Sequence, residues 1–330
     1  MNIPTNQPTR NLALELVRVT EAAALASGRY MGRGDKIAAD KAAVDAMRLV
    51  LNSIQMDGVI VIGEGEKDQA PMLYNGERLG SGDLPQVDIA VDPIDGTRLL
   101  ANGQPGSIAT VALAPRGSMF NPGPFVYMEK IAVGPWARDV IDITAPVQVN
   151  LAAVARAKGE SIHDLTVVIL DRPRHEQLIA EVRSCGARIR LIPDGDVAGA
   201  FMTALPESGI DVLMGTGGTP EGVLSACALR AMGGNLVGRL TPRSDEERRQ
   251  GAERGIDFSK PLSIEDLVSS EDVFFAATGI TNGEWLRGVT YSPDGASTDS
   301  LVVRGLTGTT RRIRSNHRLS RLNLVSEIEY

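Results

Sequence analysis

The chain has 330 residues, 34 basic and 41 acidic, for a net charge of −7, with 43% hydrophobic and 23% charged side chains. That is the make-up of a soluble globular protein, one large α/β unit or two domains, and it excludes disordered, collagenous and coiled-coil classes. The acidic balance excludes nucleic-acid binding by bulk charge, and an anionic substrate would need a local cluster of Lys and Arg.

Residues 1–10 carry two prolines and are expected to be a flexible N-terminus; MNIPTNQPTRN lacks the apolar core of a signal peptide. No run reaches the ~18 apolar residues of a membrane span, so a cytoplasmic protein without membrane contact is expected. Leu12–Tyr30 has apolar residues at helical spacing, with Gly32 and Gly34 to stop it, and a second helix is expected over Asp40–Ile54. GVIVI (58–62), VDIAVDP (87–93), 107–117 and 128–135 read as strands.

After a polar break at 159–164, TVVILD, EQLIAEVRSCG, ARIRLIP, VAGAFMTALP, IDVLMGTG and PEGVLSACALRAMGG alternate strand and helix, which predicts a mostly parallel sheet covered by helices. Cys185 and Cys227 lie in the helical segments, outside any CxxC pair, and read as buried thiols. RSDEERRQGAERG reads as a solvated insertion or helix. The closing strands SLVVRG and TTRRIRSNHRL carry a basic face at Thr310, Arg311, Arg312, Arg314 and His317, a solvated sheet face or else a subunit or effector contact. Two stacked α/β lobes follow, 11–158 and 159–330.

Acids gather at predicted strand ends. Glu64 and Glu66 follow strand 58–62 in GEGE, and Asp92 and Asp95 follow strand 87–91 in DPIDGT. Asp40 and Glu221 stand at expected helix starts, where each also reads as an N-cap or first-turn acid. In α/β sheets, ligands collect at the carboxyl ends of strands. Acids crowded there repel unless a cation shares them, and with no His or Cys cluster the donors suit hard ions such as Mg²⁺ or Mn²⁺. Thr97 adds a hydroxyl beside them, so metal-assisted phosphate hydrolysis is the chemistry this pattern offers.

The anion contacts lie on later strand ends. DRPRHE (171–176) brings Arg172, Arg174 and His175 to a helix start, PDGDV (193–197) brings Asp194 and Asp196, and GTGGTPEG (215–222) offers backbone N–H groups. Arg172 and Arg174 equally read as surface ion-pairing residues, and His175 as a packing histidine. Lys36, near Asp40, reads as a phosphate contact or a modulator of the acids.

MGRGDKIAAD (31–40), IVIGEGEKDQAPMLY (60–74), VDIAVDPIDGT (87–97), YMEKIAVGP (127–135), RPRH (172–175), IPDGDVA (192–198) and GTGGTPEGV (215–223), in that order, resemble class II fructose-1,6-bisphosphatases, of the inositol monophosphatase and fructose-bisphosphatase superfamily. The resemblance spans about residues 10–320. It implies a layered α-β-α-β-α sugar-phosphatase fold with a metal-binding lobe (11–158) and a sugar-phosphate-binding lobe (159–330). The activity implied is hydrolysis of fructose 1,6-bisphosphate to fructose 6-phosphate and phosphate, a gluconeogenic step, with Mg²⁺ or Mn²⁺.

Carried over by position, Asp40 and Glu64 would hold one ion and Asp92, Asp95 and Glu221 a second. Thr97, with Glu64, Asp40 and Lys36, would form the catalytic set. Gly96, Thr97, Tyr127, Arg172, Pro173, Arg174, Asp194, Gly195, Asp196 and Gly218 would meet substrate. A homo-oligomer, dimer or tetramer, is implied as well. Many relatives have Glu where this chain has Asp95, 119–125 is richer in Pro and Gly than the pattern, and 242–262 receives no chemistry. The alternatives are a bisphosphatase that also takes sedoheptulose 1,7-bisphosphate, an inositol monophosphatase-like enzyme, and a sugar-phosphate sensor without turnover.

Overall fold

Residues 11–65, 72–328 and 330 are described in a computed structural model; the expected flexible segment 1–10 and Glu66 lie outside them. Helices α1 (Ala13–Gly28) and α2 (Lys36–Asn52) precede strands β1 (Asp57–Ile62), β2 (Arg78–Leu79) and β3 (Gln86–Asp95). Then come α3 (Thr97–Ala101), β4 (Ile108–Pro115), β5 (Tyr127–Val133) and α4 (Val147–Lys158). An alternating stretch follows: β6 (Thr166–Leu170), α5 (Glu176–Ser184), β7 (Arg188–Ile192), α6 (Asp196–Met202), β8 (Val212–Gly218) and α7 (Thr219–Met232). The chain continues through β9 (Asn235–Leu240), α8 (Asp245–Glu253) and α9 (Ile264–Leu267). It ends in β10 (Phe274–Gly279), β11 (Thr290–Ser292), β12 (Gly295–Arg304), β13 (Thr309–His317) and α10 (Leu319–Leu322).

The apolar run of β4 shows why the strands are hydrophobic on both faces. Ile108, Ala112 and Ala114 join the core shared with α6 and α7, while Ala109, Val111 and Leu113 join the core under α1 and α2. In the second sheet Val168 and Leu213 face α6 and α7, while Val167, Ile169, Val212 and Met214 face α4 and α5. The layers are therefore α1/α2, first sheet, α6/α7, second sheet, α4/α5: the α-β-α-β-α order the resemblance implied.

The first sheet runs β11-β12-β10-β4-β3-β1-β2, with β13 on the far side of β12; the second runs β7-β6-β8-β5-β9. Only β6 with its neighbours β7 and β8 is parallel in the second sheet, because β5 lies antiparallel to both β8 and β9. The expectation of a mostly parallel sheet is thus corrected to a mixed one. Residues 11–158 and 159–330 do not coincide with the two sheets either: β5 crosses into the second, and β10 to β13 return to the first. Local periodicity reports an element's type and says nothing about which sheet will pair with it.

Asp40 is corrected too. It is the fifth residue of α2, not its start, and the N-cap is Asp35, whose side chain accepts from Ala38 N at 3.0 Å. Cys227 is buried in α7, whereas Cys185 is half-buried at the C-cap of α5. The basic strand β13 is a mostly exposed edge on which Arg312 pairs with Asp299 at 2.8 Å. No helix among the described residues is long and apolar enough to cross a membrane.

Candidate active site

β3 ends in the DPID segment, and its register against β4 shifts between Asp92 and Asp95. That bulge puts both acids at the rim of the sheet, where Asp92 Oδ1 accepts from Ile94 N at 3.1 Å. Gly96, with φ of +88°, turns the chain into α3. Thr97 then places Oγ1 3.3 Å from Asp40 Oδ1 and 3.2 Å from the carbonyl of Ile94. Glu64 follows β1, and Glu221 lies in the first turn of α7.

All of these but Asp40 wall a cavity of about 490 Å³ between the sheets. Glu64, Asp92, Asp95, Gly96, Thr97 and Glu221 lie along it, together with Tyr127, Arg172, Arg174, Asp194, Gly195, Asp196 and Gly218. Asp40 stands behind Thr97, in contact with its hydroxyl. Lys36 is exposed one helical turn earlier, and Pro173 is exposed in the turn between the two arginines; neither lines the cavity.

The acids perturb one another. Burial, and then the charges of Asp40 and Glu221, lift Glu64 to about 7. Asp92 is raised by burial and by Asp95, Glu221 and Glu64; Asp95 by burial and chiefly Asp196; Glu221 by burial and Asp196, against the relief of Lys130. Asp40 is raised by burial, offset by the Thr97 hydroxyl and Lys36. Glu221 Oε2 is buried with no hydrogen-bond partner among the described residues.

The second sheet's strand ends bring two arginines to the cavity, beside Asp194 and Asp196. Arg172 Nη2 reaches Asp194 Oδ1 at 3.2 Å and Nη1 reaches the carbonyl of Pro193 at 2.5 Å, while Asp194 Oδ2 accepts from Arg98 N at 3.2 Å. Arg174 donates through Nε and Nη2 to the carbonyl of Thr216 at 3.0 and 2.8 Å and sits over the Tyr127 ring. The 119–125 loop ends on Phe125, buried edge-on against Phe258.

Sequence reading missed two residues beside the cavity. Lys130, on β5, is only 1% exposed and holds Asp196 Oδ2 at 2.6 Å and the carbonyl of Gly218 at 3.1 Å. Its signal was a lone lysine in the apolar run of MEKIAVGP. Arg243, in the segment given no chemistry, lies 5.6 Å from the Tyr127 ring centroid; nothing local marked it. Lys130→Met strands the Asp196 carboxylate without a cation and is expected to cost about 3 kcal/mol or more in urea unfolding. Adding Asp196→Asn is expected to recover most of that loss, and equal loss in single and double variants would refute the pairing.

The donor set is all carboxylate, with an orphaned Glu221 oxygen and acids held above their ordinary range, which is the chemistry a hard divalent cation satisfies. No three His, Cys, Asp or Glu among the described residues stand as a preassembled metal-holding group, so the fit is one of donor type and charge.

Acids and arginines facing one another across a strand-end cleft define an α/β enzyme for phosphate esters. The model of the bacterial, glpX-encoded fructose-1,6-bisphosphatase family matches residues 10–317, and the chain belongs to that family. It is 49% identical over 325 residues to fructose-1,6-bisphosphatase 1 class 2 of Escherichia coli (strain K12), spanning 94% of this chain and 96% of that one. The class 2 fructose-1,6-bisphosphatase of Shigella flexneri is 49% identical over the same shares. The extragenic suppressor protein suhB of Bartonella henselae superposes with a TM-score of 0.32 at 17% identity, over 59% of this chain and 74% of that one, too slight a likeness to carry an argument.

Proposed function

We propose that the protein hydrolyses the 1-phosphate of fructose 1,6-bisphosphate to give fructose 6-phosphate and phosphate, with Mg²⁺ or Mn²⁺ held by its carboxylates. The observation that carries this reading is a cavity lined by six acids, Glu64, Asp92, Asp95, Asp194, Asp196 and Glu221, together with Arg172 and Arg174, in a chain of this family. Asp40 and Glu64 would hold one ion, and Asp92, Asp95 and Glu221 the second. Bound divalent cations supply Lewis acidity and make water acidic near neutral pH.

Thr97 orients the attacking water and passes a proton to Asp40, the carboxylate within reach of its hydroxyl. Arg172 and Arg174 grip the distal phosphate, with Tyr127 stacked beneath Arg174. Asp194 and Asp196 accept from sugar hydroxyls, and Gly96, Gly195 and Gly218 let substrate approach the backbone. Lys36 favours the ionised form of Asp40, against the effect of burial. Water attacks phosphorus directly, and no side chain is phosphorylated. A cytoplasmic homo-oligomer, dimer or tetramer, belongs to the same reading and is checked by light scattering.

The test is phosphate release from fructose 1,6-bisphosphate with Mg²⁺, Mn²⁺ or chelator, beside sedoheptulose 1,7-bisphosphate and inositol 1-phosphate. Release that requires metal and favours the fructose bisphosphate is expected. Arg174→Ala is expected to raise KM for it about tenfold or more with a smaller change in kcat. Preference for inositol 1-phosphate would overturn the substrate assignment, and binding without turnover under any metal would overturn the activity.

A further inference from the structure

The carboxyl ends of β6 and β8 part company at the substrate cavity, and one side chain occupies the gap. The strands run parallel and pair at Val167–Val212 and Val168–Leu213, where the ladder stops. Backbone groups along a strand point alternately toward its two neighbours. On β6, the carbonyl of Leu165 bonds Arg188 N and Asp171 N bonds the carbonyl of Ile192, both on the β7 side. Thr166, Val168 and Leu170 therefore turn their groups toward β8, as the bond from Asp211 N to the carbonyl of Thr166 shows. Two residues beyond the last pair, Leu170 falls opposite Gly215, and the next rung would join the Leu170 carbonyl to the Thr216 N–H.

That rung is filled by the imidazole of His175. Nδ1 lies 2.7 Å from the carbonyl of Leu170, and Thr216 N donates to Nε2 at 2.8 Å. The ring is inserted between the donor and the acceptor that would otherwise meet, and the residue is 3% exposed. Both bonds are satisfied only by the neutral Nδ1–H tautomer. Burial, aided by the charges of Arg174 and Arg172, moves its pKa down in the same direction. Gly215, with φ of +140°, lies beneath the ring, and a Cβ there would meet Cε1 and Nε2 at 3.0 Å. A packing histidine has only to fill space; this one replaces a specific backbone bond.

We propose that His175 is a positioning residue, a wedge in the β6–β8 ladder that spreads the two strand ends and sets where Arg174 stands against the glycine loop. Thr216 is the shared anchor: its N–H binds the ring, and its carbonyl accepts both donors of Arg174. Arg172, Arg174 and His175 belong to one tight turn, so closing the gap would move the arginines along with the strand ends. This inference rests on the reading of Arg174 as a holder of the distal phosphate.

The experiment compares His175→Ala with His175→Gln in the full chain. A glutamine amide carries one donor and one acceptor at a separation close to that of the ring nitrogens, so it can span the rung. His175→Ala is expected to raise KM for fructose 1,6-bisphosphate about tenfold or more with kcat within about threefold, and His175→Gln to stay within about threefold of the parent in both. An unchanged KM in the alanine variant, or loss of kcat alone, would overturn the wedge. Nitrogen NMR of the parent's imidazoles gives an independent reading that needs neither turnover nor a folded variant, and three histidines make it assignable. The Nδ1–H tautomer at His175 near pH 7 is expected; an Nε2–H tautomer or an imidazolium would overturn the proposal. If the parent releases no phosphate from the bisphosphate, the functional reading fails while the NMR still judges the wedge.

Discussion

Asp92→Asn is expected to lower phosphate release from fructose 1,6-bisphosphate by about a thousandfold or more, and at the same time to make the metal-free protein more heat-stable. The two effects have one cause. Asp92 is raised well above the carboxylate range by burial and by the charges of Asp95, Glu221 and Glu64, so its ionised form is tolerated only when a cation shares it. Asparagine keeps the shape and the acceptor for Ile94 N while removing that charge. Phosphate assays with Mg²⁺ or Mn²⁺ read the first effect, and a thermal melt in chelator reads the second. Near-parental turnover would remove Asp92 from the metal-holding set; a lower melting temperature in chelator would show that its charge is compensated in some other way.

The second expectation concerns metal removal and pH. Glu64, Asp92, Asp95 and Glu221 all have pKa values raised by folding, Glu64 to about 7. The metal-free folded chain therefore binds protons that the unfolded chain releases. Stability is greatest below the ordinary carboxylate range and is lost as pH rises through the raised values. In chelator the melting temperature is expected to be about 5 °C or more lower at pH 8 than at pH 5.5. Saturating Mg²⁺ or Mn²⁺ should remove most of that difference, so the gain from metal is larger at the higher pH. Surface acids such as Asp57 and Asp164 are held low by hydrogen bonds and titrate below this window, so they do not mask it. Scanning fluorimetry at the two pH values decides the matter: a flat profile in chelator, with equal metal gains, would mean that the acids are not under mutual strain.

Much of the site was legible because its residues sit where the chain changes element. Asp92 and Asp95 close β3, while Thr97, Arg172, Arg174, Asp194 and Glu221 each follow a β-branched or glycine-bounded strand, and strand ends are recognisable from local pattern. Asp40 was found without its context. Its place inside α2 depends on Asp35 taking the cap, and its relation to Thr97 depends on α2 packing against α3. Lys130 was read as one more residue of a strand, since a lysine's partner across the fold leaves no trace in its own neighbourhood.

The sequence alone determined the type and order of α1, α2, β1, β3, β4, β5, the alternating run from β6 to α7, and β12 and β13, though not α4, β9 or β10, and it placed most of the acids and the arginines at strand ends, because periodicity, capping and glycine placement act over a few residues. Only the tertiary structure decided that β5 leaves its neighbours to lie antiparallel in the second sheet, that Lys130 meets Asp196, and that His175 stands in for a rung between β6 and β8. Those outcomes depend on which layers stack and which strand edges remain to be paired, and that competition is settled by burial across the whole chain rather than by any local run of residues.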